Sequence, residues 1–151
     1  MTQIMDERSE KNIATLAPEV QPLARQLIEI ASAQGINAKV ICGARTLSEQ
    51  NELYAQGRTK PGKIVTKAPG GYSWHNFGLA FDIGIFSPDG KEYYGESSAY
   101  ADVGKIGEAI GLEWGGSWEG FPDFPHFQLN PKGYSLAELR ERQAAGKDLF
   151  S

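Results

Sequence analysis

The sequence predicts an α+β fold, and three observations lead there. Segments with apolar residues at helical spacing recur along the chain, several of them closed by a glycine. Between them lie short apolar or alternating runs, at 38–42, 79–86 and 126–129, that read as strands. The two kinds of element are interspersed without regular strand–helix–strand alternation, which argues against a parallel α/β sheet. The length of 151 residues suits one domain with a core that needs no disulfide support.

Residues 1–16 are polar and read as a flexible lead-in or a short helix. From Pro18 to Gln34, residues Val20, Leu23, Leu27, Ile28, Ile30 and Ala31 keep helical spacing, and Gly35 ends the helix. Ala38 to Cys42 reads as a short buried strand, with Cys42 a small buried apolar residue. Thr46-Leu47-Ser48-Glu49 has the form of a capping box, opening a helix through Leu53, Tyr54 and Ala55 that Gly57 terminates. Residues 57–73, with Pro61, Gly62, Pro69, Gly70 and Gly71, form a long loop of the kind that is usually functional or mobile.

Leu79 to Phe86 alternates as a strand, and Ser87-Pro88-Asp89-Gly90 turns into an extended piece around Tyr93 and Tyr94. Ala99 to Ile110 has helical periodicity ending at Gly111, and Leu112 to Trp118 runs through a Gly-Gly pair between two tryptophans. His126 to Leu129 is a short strand. A second capping box, Ser135-Leu136-Ala137-Glu138, marks 132–151 as the terminal helix, with Gly146 as its stop. With no repeat and no linker in view, 1–151 is expected to be a single domain.

The net charge of −4 and the scattered Lys and Arg residues exclude a general attraction to nucleic acid. The single cysteine excludes an intrachain disulfide. The N-terminal MTQIMDERSEKNIATLAPE has mixed charge and no apolar stretch of signal-peptide length, and no segment approaches the ~20 apolar residues of a membrane span. The expectation is a monomer made in the cytoplasm, with no nucleic-acid or membrane partner.

Chemistry concentrates around the only two histidines. His75 has Asp82 seven residues on, and His126 has Asp123 three residues before it. In the run from Leu79 to Ile85, alternation assigns Leu79, Phe81, Ile83 and Ile85 to an apolar face and turns Asp82 the other way, beside only Ala80 and Gly84. Phe127 and Leu129 likewise face the core and leave His126 and Gln128 on an open side. Pairing of the two strands would project Asp82 and His126 from one surface, with His75 completing a three-ligand set. Two imidazoles and one carboxylate suit one zinc ion with a fourth position left for water. Asp123, between Pro122 and Pro125, is the candidate carboxylate outside the ligand set that moves the proton; a plain turn residue is the alternative.

Ser73-Trp74-His75-Asn76-Phe77-Gly78-Leu79-Ala80-Phe81-Asp82 resembles the SxHxxGxAxD signature of the D-Ala-D-Ala carboxypeptidase and L-alanyl-D-glutamate endopeptidase family, and every fixed position matches. Asp123-Phe124-Pro125-His126 is similar to that family's second element. Gly43-Ala44-Arg45-Thr46 with Glu49-Gln50 resembles its arginine segment, and Trp114-Gly115-Gly116-Ser117-Trp118 its tryptophan–glycine stretch. The resemblance spans roughly residues 20–130, in the family's order.

It implies a hedgehog/DD-peptidase-like fold, with a small central antiparallel sheet flanked by helices. It also implies zinc on His75, Asp82 and His126, with Asp123 as catalytic base. Arg45 would stabilise the oxyanion or hold a substrate carbonyl, a surface ion pair with Glu49 or Glu52 being the alternative. Ser73 would contact the substrate or orient a ligand, and Gln50 would contact substrate, while Trp114 and Trp118 would line the cleft or pack in the core. Family members often carry Glu where this chain has Asp123, and Asp occurs in the endopeptidase branch.

The leading functional expectation is a peptidoglycan stem-peptide peptidase of the L-alanyl-D-glutamate type. The segment from Gly57 through Thr66 resembles a loop of phage lysis enzymes, which implies access to the wall through holin-type release or other export. A D-Ala-D-Ala dipeptidase or carboxypeptidase, and a non-catalytic zinc-stabilised binding domain, are the alternatives.

Overall fold

The computed structural model describes residues 6–120 and 122–150. Helix α1 (Glu7–Ala14) opens on Asp6, whose carboxylate accepts the Ser9 amide at 2.9 Å. Of the stretch 1–16, residues 1–5 lie outside the described residues, and the remainder holds a short helix that packs on the core. Ile13 and Leu16 are buried, Ser9 Oγ accepts the Val40 amide at 3.0 Å, and the Asn12 amide donates to the Val40 carbonyl at 2.8 Å.

Helix α2 (Gln21–Ala33) buries Ala24, Leu27, Ile28 and Ala31, the i, i+3, i+4, i+7 stripe of a helix lying on a core. Strand β1 (Asn37–Cys42) follows, then helix α3 (Leu47–Ala55), whose Thr46/Glu49 capping box is present in both halves. After the loop come a short 3₁₀ turn (Trp74–Phe77), strand β2 (Ala80–Phe86), strand β3 (Tyr93–Tyr94) and helix α4 (Ala99–Ala109). Strand β4 (Glu113–Trp114), a 3₁₀ turn (Gly115–Ser117), strand β5 (His126–Gln128) and helix α5 (Leu136–Ala144) complete the order. The terminal helix fills only part of 132–151, because its capping box starts it at Ser135 and its buried Leu139 sits mid-helix.

The sheet has order β1-β2-β5-β4 with every pairing antiparallel, and β3 pairs the far end of β2. Alternation in β2 holds as expected: Leu79, Phe81 and Ile83 are fully buried and Ile85 nearly so. Phe127 faces Phe81 across the strand pair and stacks on it at 5.7 Å. Gly78, which ends the 3₁₀ turn before β2, has φ +68, and a Cβ there would lie 2.9 Å from the Ala17 amide nitrogen. Only glycine gives the chain that entry into the strand. The fold matches the expected α+β class, and no helix among the described residues is long and apolar enough to cross a membrane.

Candidate metal centre

Asp82 sits at the middle of the sheet, opposite Cys42 on one side and His126 on the other. An irregularity between Val40 and Cys42 shifts the register there and brings Cys42 opposite Asp82. Cys42 is therefore only half-buried, not a core residue, and its Sγ lies 4.0 Å from His75 Nδ1.

His75 comes from the 3₁₀ turn. Ser73 caps that turn by accepting the His75 amide at 3.3 Å, and Asn76 closes the reciprocal half by accepting the Ser73 amide at 3.2 Å. Asn76 also donates to the Arg45 carbonyl at 3.1 Å, and the Arg45 amide donates to the His75 carbonyl at 3.0 Å. The signature segment and the arginine segment are thus one hydrogen-bonded unit. Ser73, expected to contact the substrate or orient a ligand, has its hydroxyl engaged in shaping the turn that carries His75.

The three expected ligands converge. Asp82 Oδ1 lies 3.4 Å from His75 Nε2 and 3.3 Å from His126 Nδ1, and the two imidazole rings meet edge to face at 5.1 Å. The outer nitrogens are occupied: His75 Nδ1 donates to the Gly43 carbonyl at 2.9 Å, and His126 Nε2 donates to Gln128 Oε1 at 2.7 Å. Each imidazole therefore turns its lone-pair nitrogen towards Asp82. Asp82 Oδ1 is buried with no hydrogen-bond donor of its own. A buried carboxylate oxygen that lacks a donor and faces an imidazole nitrogen on either side calls for a cation. Without one, protons take that role. Burial favours neutral His75, but its contacts with Asp82 and Cys42 and the Asp82 charge outweigh this and raise its pKa to about 9. Burial likewise opposes ionisation of Asp82, yet the His126 and His75 contacts hold its carboxyl well below the usual range.

Asp123 stands at the rim, half-exposed, with Oδ2 4.0 Å from His126 Nδ1. Its amide donates to the Gly115 carbonyl at 2.9 Å and its carbonyl accepts the His126 amide at 3.2 Å, so one tight turn fixes both residues. Burial, and then the Asp82 charge, push its pKa up.

Arg45 lies 3.5 Å from Asp82 Oδ2 and donates to Gln50 Oε1 at 3.3 Å, so it belongs to the site and not to a surface pair with Glu49 or Glu52. Gln50 itself is fully buried, and its amide donates to the Ala68 carbonyl at 2.7 Å. With its amide used internally, it holds Arg45 and the 66–68 loop and presents no polar atom to a substrate. A cleft of ≈ 570 Å³ opens beside the centre, bordered by Cys42, Arg45, Glu49, Leu53 and Lys60.

The two tryptophans separate. Trp114 packs against the core and donates to the Phe124 carbonyl at 2.8 Å, whereas Trp118 is 37% exposed with its ring 5.0 Å from that of His126. The open side expected around His126 and Gln128 is closed instead: both are buried, and Gln128 donates onward to Glu113 at 3.1 Å. The sequence places Gln128 beside His126 without giving it a role, and Asn76 enters only as part of the signature segment. Their signals were its i+2 position from a ligand histidine on one strand face and the Ser73/Asn76 capping spacing.

Comparison with known proteins agrees with this geometry. Residues 66–129 match a family model described as D-alanyl-D-alanine carboxypeptidase. Over 124 residues, 77% of this chain and 74% of the relative, the sequence is 43% identical to the peptidoglycan L-alanyl-D-glutamate endopeptidase CwlK of Bacillus subtilis (strain 168). It is 29% identical over 136 residues to the L-alanyl-D-glutamate peptidase of Listeria phage A118, covering 89% of this chain and 45% of that one. Among solved structures, the Serratia marcescens L-Ala D-Glu endopeptidase ChiX aligns with a TM-score of 0.63 at 26% identity, over 82% of this chain and 86% of that one. The converging histidines and aspartate, the matched signature and the extent of these likenesses together establish that the chain belongs to the D-alanyl-D-alanine carboxypeptidase and L-alanyl-D-glutamate endopeptidase family of metallopeptidases.

Proposed function

We propose that this chain hydrolyses the L-alanyl-D-glutamate bond of the peptidoglycan stem peptide, using one zinc ion held by His75, Asp82 and His126. The observation that carries the reading is the spacing of the inner atoms. Ligands about 2.0–2.1 Å from a tetrahedral zinc stand about 3.3 Å from one another. The Asp82-to-imidazole separations of 3.3 and 3.4 Å have that spacing, around an oxygen that lacks a donor. Zinc in such a set supplies carbonyl polarisation and a water acidified to near neutrality.

The chain's own groups account for the rest. Asp123, at the rim and with a raised pKa, takes the proton from the attacking water and returns it to the leaving amine. Arg45, tethered by Asp82 and Gln50, keeps further N–H donors for the substrate carbonyl as negative charge develops on its oxygen. Trp118, exposed beside His126, offers a flat apolar wall for the peptide. The likeness to a phage enzyme supports action on the wall after release from the cytoplasm. The closer likenesses favour the endopeptidase, although the matched family model is described as a carboxypeptidase.

Metal analysis of the purified protein, followed by product mapping on a defined muropeptide, tests the reading. New N-terminal D-glutamate is expected; released D-alanine would move the assignment to the carboxypeptidase. Asp123→Ala should keep its zinc and lose hydrolysis. A wild type that binds zinc but cleaves neither bond would leave only the binding-domain alternative.

A further inference from the structure

We infer that Gln128 and Glu113 form a positioning relay that fixes which nitrogen of His126 faces the metal position. The inference rests on the metal reading above and adds residues to it. His126 and Gln128 lie on the same face of β5, both buried, with His126 Nε2 and Gln128 Oε1 2.7 Å apart. A glutamine amide can present either its oxygen or its NH₂, so Gln128 alone does not determine the imidazole tautomer. Glu113 does.

The strand register puts Glu113 of β4 directly opposite Gln128, and Glu113 Oε2 accepts from Gln128 Nε2 at 3.1 Å. An ionised carboxylate only accepts, so it holds the NH₂ end of Gln128 towards itself. That leaves Oε1 towards His126, which must then carry its proton on Nε2. The lone pair falls on Nδ1, the atom 3.3 Å from Asp82 Oδ1. A chain of three side chains across two strands thus prepares one ligand atom from the outside, at the exposed end of β4. His75 gets the same service from the Gly43 carbonyl, which cannot rotate. The His126 side therefore depends on a rotatable amide, and Glu113 removes that freedom.

The test is zinc affinity, by competition with a chromophoric chelator, together with the His126 Nε2–H signal in nitrogen-15 spectra of the zinc-loaded protein. Gln128→Leu removes the acceptor and should weaken zinc about 10- to 100-fold and lose the protected Nε2–H signal. The double variant Gln128→Glu with Glu113→Gln retains an acceptor for His126 and a donor across the strands, and should stay within a few-fold of wild type.

Glu113 is exposed, so its variants probe the relay without disturbing the core. Glu113→Gln can accept or donate, so it no longer fixes the amide and should fall between wild type and Gln128→Leu, while Glu113→Lys can only donate, favours the turned amide and should approach Gln128→Leu. If Gln128→Leu and Glu113→Lys bind zinc as tightly as wild type, the relay is refuted. Equal losses in the double variant and Gln128→Leu would also refute it, by showing that packing alone matters. A wild type that binds no zinc would instead overturn the metal reading on which the relay stands.

Discussion

Gly115→Ala tests whether the turn that carries Asp123 and His126 is as tightly specified as it looks. Gly115 has no unusual backbone requirement, since it is absent from the glycines with positive φ. Space alone excludes a side chain. A Cβ would lie 2.4 Å from the Asp123 carbonyl oxygen and 3.1 Å from the Cβ atoms of both Asp123 and His126, where ordinary contact begins at 3.4 Å. The nearest obstacle is backbone, so relief requires the 122–126 segment to move by about 1 Å, and a displacement of that size at a catalytic group costs on the order of 100-fold in rate. The overpacking should also lower stability by about 1–3 kcal/mol. The assay is initial-rate hydrolysis of a muropeptide at saturating zinc, with thermal unfolding measured in parallel. Gly95→Ala is the control, because its Cβ would meet only Tyr93 at an ordinary 3.6 Å. A Gly115→Ala enzyme with kcat within about threefold of wild type would refute the reasoning, since the 100-fold estimate rests on that turn being unable to yield.

Other outcomes follow from the same site. Zinc binding must displace the His75 proton, so affinity should rise by up to about tenfold per pH unit from neutral pH and level off near pH 9, as read by calorimetry at several pH values. In the metal-free protein the sign reverses: a pKa raised above 6.5 stabilises fully below 6.5 and loses that contribution as pH rises through about 9, so its melting temperature should fall over that window. Phe127→Ala removes a fully buried ring stacked on Phe81 and should destabilise by about 3–5 kcal/mol in denaturant titrations. Arg45→Lys cannot reach both Asp82 and Gln50 with a fork of donors, and should lower kcat/KM by about 10- to 100-fold while zinc content is retained.

Much of the centre is legible because strand alternation is a rigid rule. Once Leu79, Phe81, Ile83 and Ile85 are assigned to the core, Asp82 has only one direction left, and its pairing with His126 follows from the antiparallel register. Gln50 shows where local reasoning stops. Its burial is created by the 66–68 loop folding over α3, a contact between residues 18 apart that no helical pattern encodes. The position of Cys42 depends on a register irregularity, invisible in an apolar run such as Val40-Ile41-Cys42. Trp114 and Trp118 look alike in sequence, and only the 3₁₀ turn between them sends one inward and the other to the rim. The polar residues 6–14 disguise their contribution because Ser9 and Asn12 act through hydrogen bonds to Val40 and only Ile13 adds buried apolar bulk.

Those two hydrogen bonds have a consequence for self-association. β1 is the outermost strand of the sheet, and an outer strand with free amides and carbonyls is a template for another chain. Ser9 and Asn12 occupy both backbone groups of Val40, and α1 lies along that margin. Helix α1 therefore serves as a guard rail: a shortened protein starting after Ala14 would offer β1 as an adhesive edge and should form concentration-dependent aggregates, even with every metal ligand still in place.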